Sequence, residues 1–117
     1  MIKNIGVDLE EISRITELAA RKPALLERIL TTAEREVYDS YSQKRQAEYL
    51  AGRYVGKEAF AKALGTGIGP ELSFLDIEIL NDAAGQPTAK CKKFHGRIHV
   101  SISHTKELVM AEVLLEE

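Results

Sequence analysis

Apolar residues change their spacing several times along this chain, and each change marks an element. Ile2 to Asp8 reads as a short strand, with Ile5 and Val7 on one face. From about Glu11 the period lengthens. Ile12, Ile15, Leu18 and Ala19 form one face of an amphipathic helix, which Pro23 interrupts. Leu25, Leu26, Ile29 and Leu30 continue the helical spacing. Thr31 followed three residues later by Glu34 is the pattern in which two side chains cap each other's backbone N–H groups. It predicts a short helix from Thr32 to about Ser40. Ser40 to Gln46 is polar and reads as a turn or a helix start.

The longest predicted element runs from about Arg45 to Leu64. Between Ala47 and Leu64 only Glu48, Arg53, Lys57, Glu58 and Lys62 are charged, and the apolar positions spread around the helix rather than along one stripe. A helix that is apolar nearly all round belongs in the centre of a fold. Gly52 and Gly56 each cost roughly 1 kcal/mol of helix propensity relative to alanine, which fits positions where neighbouring backbones approach. Gly65 supplies a C-terminal stop.

Beyond Pro70 the period becomes two. Ser73 to Leu80 alternates with Leu75, Ile77 and Ile79 inward, Asn81 to Pro87 holds turn residues, and Pro87 to Phe94 is a weaker strand. Ile98, Val100 and Ile102 alternate with polar partners, and Leu108 to Leu115 forms a last strand, paired across Thr105-Lys106-Glu107. Helices come mainly first and strands mainly second, which defines an α+β fold with a long central helix against a mainly antiparallel sheet.

Composition narrows the function classes. A chain of 117 residues is expected to form one domain over residues 1–117, with a real core. Its 44% apolar content excludes general disorder, and a net charge of -2 argues against nucleic acid as a partner. Cys91 is the only cysteine, so no intrachain disulfide forms and a reducing, cytoplasmic location is expected. The N-terminus lacks the charged start and apolar run of a signal peptide, and no segment reads as a membrane span.

Candidate chemistry centres on two acids fifty positions apart. Asp8 ends the first strand, where it serves either as a helix N-cap or as an oxygen ligand. Glu58 sits on the central helix with Lys62 one turn later, a spacing that on an exposed helix is only a solubilising pair. Among Tyr54, Val55, Ala59, Phe60 and Ala61, burial is expected, and buried charges require partners. Mg²⁺ takes few carboxylates together with waters and phosphate oxygens, so two separated acids beside a lysine and a Gly65-Thr66-Gly67 helix exit suit a magnesium–phosphate site. His104 reads as a packed strand-end histidine or a phosphate contact among Ser101, Ser103 and Thr105. His95 and His99 lack zinc spacing, and Cys91 lacks the setting of a nucleophile. Arg14, Arg21, Lys22 and Arg28 make the first helical segments basic.

Three segments together resemble the short, holo-[acyl-carrier-protein] synthase group of 4′-phosphopantetheinyl transferases. They are Gly6-Val7-Asp8-Leu9-Glu10-Glu11-Ile12-Ser13-Arg14-Ile15, then Arg53 to Gly67 with Lys57-Glu58-Ala59-Phe60-Ala61-Lys62 at its centre, then Ser101-Ile102-Ser103-His104-Thr105. Gly85-Gln86-Pro87 resembles the family's turn near the adenine. Glu10, Leu108 and the basic run Lys90 to Lys93 depart from the family pattern, outside the motif residues. The resemblance implies transfer of phosphopantetheine from coenzyme A to a serine of apo acyl carrier protein, in support of fatty acid biosynthesis. It implies Asp8 and Glu58 as magnesium ligands and Asp8, Glu58, Lys62 and His104 as the catalytic set. Lys44, Arg45, Arg53, Lys62, Gly65, Gly85, Pro87, His104 and Thr105 would bind coenzyme A, with Lys44 and Arg45 at its 3′-phosphate. Arg14, Arg21 and Arg28 would meet the carrier, and a homotrimer with sites at subunit interfaces is expected. Two other readings stand beside it: a silent binding module, and a structural oligomer in which Glu58–Lys62 is a core ion pair.

Overall fold

The computed structural model describes residues 1–117. Its elements are β1 (Ile2–Glu11), α1 (Ile12–Arg21), α2 (Leu25–Ile29), α3 (Thr32–Asp39) and α4 (Gln43–Leu64). A 3₁₀ turn (Phe74–Asp76), β2 (Ile77–Asn81), β3 (Pro87–Cys91), β4 (Arg97–His104) and β5 (Leu108–Glu116) follow. The fold is α+β, as expected. β1, β5 and β4 form an antiparallel sheet in that order, and β2 and β3 form a separate antiparallel hairpin.

Helix α4 is the axis of the molecule. Leu50, Ala51, Val55, Ala59, Phe60, Ala61 and Ala63 are each at most 2% exposed, so the helix is covered on nearly every side. It packs against the sheet, α1, α3 and β2. It starts two residues earlier than its periodicity predicts, because Ser42 adopts the extended N-cap conformation ahead of the polar Gln43 and Lys44. Gly65 ends it at φ 92°, a left-handed conformation in which a side chain would be strained.

The first strand differs most from expectation. It continues past Asp8 to Glu11, so Asp8 lies within the strand, opposite Ala111, and does not cap α1. Pairing with β5 along its length carries β1 through the polar residues at which the sequence pattern alone ends it. Gly6, Asp8 and Glu10 face the helix layer, while Ile5, Val7 and Leu9 stand on the opposite face and are 52%, 44% and 60% exposed. At Gly6 the strand touches α4 directly: a Cβ there would lie 2.1 Å from the Ala59 carbonyl oxygen and 2.7 Å from the Ala63 nitrogen. Both obstacles are backbone of a buried helix and cannot rotate away. Gly6→Ala is therefore expected to cost about 3 kcal/mol, read as a lowered urea midpoint. An unchanged midpoint would show that the two backbones can part.

A second difference follows Pro70. The segment from Ser73 to Asp76 is a capped 3₁₀ turn rather than strand, with Ser73 and Asp76 satisfying each other's backbone N–H groups. Leu75 consequently points outward, 49% exposed, and only Ile77 and Ile79 of the expected inward set are buried. Strand β3 stops at Cys91, short of Phe94. The capping box at Thr31 and Glu34 forms as the spacing predicts.

Glu34 does more than cap. One carboxylate oxygen accepts from the Thr31 N–H at 2.8 Å and from Lys57 Nζ at 2.6 Å, and the other accepts from the Ile79 N–H at 2.7 Å. Lys57 also donates to the Ile29 carbonyl at 2.6 Å, and both side chains are fully buried. This clasp ties α3, α4, β2 and the end of α2 together. The core ion pair is thus Glu34–Lys57, not Glu58–Lys62.

Candidate active site

Tyr54, Glu58 and Lys62 lie at successive turns of α4, on the stripe that faces β1. The Tyr54 ring packs on Phe74, with centroids 5.4 Å apart. Lys62 reaches across to the strand rather than back along its helix, donating to Asp8 Oδ1 and to the Val7 carbonyl, each at 3.0 Å. Glu58 is half-buried and makes no hydrogen bond or ion pair to the protein. Burial raises its pKa, and the nearby charge of Asp8 raises it further, with a smaller push from Glu10 against the opposing pull of Lys62. Asp8 and Glu58 are therefore close enough to repel. They converge from strand and helix because the Gly6 contact draws β1 onto α4.

No group of three or more His, Cys, Asp or Glu side chains is assembled to hold a metal. A pair of repelling carboxylates, one free of hydrogen bonds, fits Mg²⁺, which takes most of its ligands from water and phosphate. It does not fit a calcium cage or a zinc centre.

A second set of residues gathers elsewhere on the chain. Arg45, Arg53 and His104 line a small cavity of about 100 Å³ together with Tyr41 and Tyr49. Arg53 is buried, donating through Nε to the Ile79 carbonyl at 3.1 Å and through Nη2 to Asn81 Oδ1 at 3.0 Å. His104 ends β4 with Nδ1 3.3 Å from the Thr105 carbonyl oxygen. The Thr105 hydroxyl is engaged in the β4–β5 turn, accepting from the Glu107 and Leu108 N–H groups. Lys44 is exposed in the first turn of α4. Gly85 has φ 85° in the β2–β3 turn, where Pro87 opens β3 opposite Asn81.

The two sets do not meet within one chain. Asp8 and His104 belong to the opposite edge strands β1 and β4, with β5 between them. The cavity of His104, Arg45 and Arg53 contains none of Asp8, Glu58 or Lys62. The basic residues of the first helices are all exposed. Arg14 bonds Glu10 at 2.5 Å, while Arg21 and Arg28 make no ion pair. Cys91 is half-buried, and burial raises its thiol pKa, against any role as a nucleophile. The sequence pattern does not single out Tyr41, Tyr49 or Tyr54, which border these two groups: Tyr49 and Tyr54 lie at helical spacing and read as core, and Tyr41 falls in the polar turn before α4.

An antiparallel sheet packed on one central helix, with a strand acid and a helix acid close together, is the frame of a small α+β protein with an acidic site on the helix. Residues 4–113 match the 4′-phosphopantetheinyl transferase superfamily. The chain belongs to that superfamily, and within it to the holo-[acyl-carrier-protein] synthases. It is 54% identical over 117 residues to the holo-[acyl-carrier-protein] synthase of Bacillus pumilus, covering 99% of this chain and 97% of the relative. The Bacillus subtilis holo-[acyl-carrier-protein] synthase is 50% identical over 117 residues, with the same coverage. Among solved structures, the Bacillus anthracis synthase in complex with CoA (3′,5′-ADP) superposes with a TM-score of 0.92 at 46% identity, covering 99% of this chain and 97% of that one. The Helicobacter pylori synthase in complex with coenzyme A gives 0.85 at 32% identity, covering 96% and 99%.

Proposed function

We propose that this chain transfers the 4′-phosphopantetheine arm of coenzyme A to a serine of an apo acyl carrier protein, with Mg²⁺ at Asp8 and Glu58. The observation that carries the site assignment is the repelling Asp8–Glu58 pair with Lys62 beside it, in a chain whose relatives are named for this reaction. The serine oxygen forms a bond to the β-phosphorus of coenzyme A, and the bridging P–O bond to adenosine 3′,5′-bisphosphate breaks. The Glu58 carboxylate, unpartnered in the protein, takes up the serine proton directly or through a water. Lys62 neutralises or protonates the departing phosphate, and His104 holds phosphate oxygens. The ion, when bound, neutralises the pyrophosphate, and in phosphoryl transfer such neutralisation and positioning supply most of the acceleration. The test is incubation with Mg²⁺, coenzyme A and an apo carrier. A carrier mass increased by one phosphopantetheine is expected, and binding without modification would leave only a binding module. Removing divalent ions with a chelator is expected to stop the reaction.

The same reading makes the working unit a homotrimer whose sites join Asp8, Glu58 and Lys62 of one subunit to Arg45, Arg53 and His104 of its neighbour. Two observations support it. The two residue sets are separated within the chain, and β1 and β5 present Val7, Leu9, Leu108 and Met110 exposed on one sheet face. If sites are shared, Glu58→Gln and His104→Ala chains, each inactive alone, should complement on mixing. Random assembly at equal amounts restores about a quarter of the sites. Absence of any recovery after verified subunit exchange would place both halves of the site in one chain.

Arg14, Arg21 and Arg28 give the carrier, an acidic protein, a basic face on α1 and α2. Charge complementarity of this kind sets on-rate and selectivity. Arg14→Glu is expected to raise KM for the carrier about tenfold or more while leaving KM for coenzyme A unchanged. Parallel changes in both constants would remove α1 from the docking face. No helix is long and apolar enough to cross a membrane, and a cytoplasmic location suits coenzyme A as substrate.

A further inference from the structure

The cavity of Arg45 and Arg53 contains an arrangement that the reaction chemistry does not use. The Arg53 guanidinium lies 4.2 Å from the centroid of the Tyr49 ring, and the Arg45 guanidinium lies 4.8 Å from that of Tyr41. The two rings meet edge to face, with centroids 5.6 Å apart and planes at 67°. A cation, two rings and a second cation thus form one contiguous stack along the start of α4 and the turn before it.

Tyr49 is 7% exposed and Arg53 6% exposed, so this part of the stack is built into the protein. Arg53 commits two N–H groups to Ile79 and Asn81, leaving three of its five donors uncommitted while its face is covered by the ring. The Tyr49 hydroxyl is buried with no hydrogen-bond partner. Burial also pushes the phenol pKa up, so the group stays neutral. The contact with Arg53 is made by the ring face, which a phenylalanine at this position would keep.

We propose that Tyr41 and Tyr49 are positioning residues for the nucleotide end of coenzyme A. Tyr49 holds Arg53, and Tyr41 holds Arg45, so that both guanidinium groups face an incoming phosphorylated nucleotide without having to be ordered by it. An arginine on a ring surrenders less rotamer freedom on binding than one waving in solvent, and cation–π contact is strongest where water is excluded. The inference rests on the transferase reading for its ligand, and its test separates the two.

KM for coenzyme A, KM for the carrier and kcat are measured for the parent, Tyr49→Leu, Tyr49→Phe and Tyr41→Leu. Binding of adenosine 3′,5′-bisphosphate is titrated calorimetrically in each. Tyr49→Leu is expected to weaken bisphosphate binding and raise KM for coenzyme A about tenfold, with kcat and the carrier KM within about twofold. Tyr41→Leu, at the half-buried end of the stack, is expected to give about a threefold change in the same two constants. Tyr49→Phe keeps the ring and is expected to restore parental binding with equal or greater thermal stability. Bisphosphate affinities unchanged in both leucine variants would overturn the proposal, as would failure of phenylalanine to restore binding. If Tyr49→Leu does not fold, Tyr41→Leu and Tyr49→Phe decide the matter by the same criteria. Absence of transfer by the parent would instead sink the transferase reading, and the bisphosphate titration would still report on the stack.

Discussion

Glu58→Gln is expected to lower the transfer rate about a thousandfold or more while leaving the fold intact. Glu58 makes no hydrogen bond or ion pair to the protein, so its removal orphans no partner. It is also repelled by Asp8 and partly desolvated, which together raise its pKa. A neutral amide of the same size relieves both penalties, so the melting temperature should stay level or rise. Activity and stability therefore move in opposite directions, which a merely disruptive substitution does not produce. The rate is read from the mass of the carrier protein, and the fold from the melting transition. Transfer at the parental rate would refute both roles given to Glu58. Asp8→Asn is a less clean probe, because Asp8 also anchors Lys62 across the strand.

Lys57→Met should produce the opposite dissociation, with stability collapsing first. Glu34 would remain fully buried with no cation against it, and breaking a buried pair from one side costs roughly 3–5 kcal/mol. The double variant Lys57→Met with Glu34→Gln should recover part of that loss. Glutamine carries no charge, and its one amide oxygen can accept from the Ile79 or the Thr31 N–H, while the other N–H is left facing the amide NH₂. Urea unfolding of the parent, the two single variants and the double variant gives the coupling directly. Additive losses would show that the pair acts as two independent packing residues, contrary to the 2.6 Å contact.

The neighbouring residues Lys57 and Glu58 show how far the sequence could be read. Both lie in a helix that is apolar all round, and periodicity alone cannot say which charge turns inward. The family resemblance singles out Asp8, Glu58, Lys62 and the strand-end His104, and the structure brings the first three together while leaving His104 on the far edge strand. Glu34 was legible as a cap, but its second task depends on Lys57 and Ile79, 23 and 45 residues away. Local spacing does not encode contacts of that range. The misplaced end of β1 has the same origin: polar Asp8 and Glu10 look like a boundary until β5 is there to pair with them. Leu75 fitted an alternating strand, yet the Ser73–Asp76 cap satisfied the backbone locally and turned the residue outward. The paired tyrosines are hidden for a different reason: Tyr49, on a buried helix, carries no mark distinguishing a platform from core filling, and Tyr41 sits in a polar turn that gives no sign of its contact with Arg45.

Where β1 crosses α4 at Gly6, main chain rests on main chain with no side chain between them. The spacing of the two acids is consequently set by a hard stop rather than by the fit of interchangeable methyl and phenyl groups. Drift elsewhere in the interior, such as exchanges among leucine, isoleucine and valine, can alter the protein's resilience without detuning the ion's berth. An engineer could remodel the surrounding packing freely, provided this one bare crossing is kept.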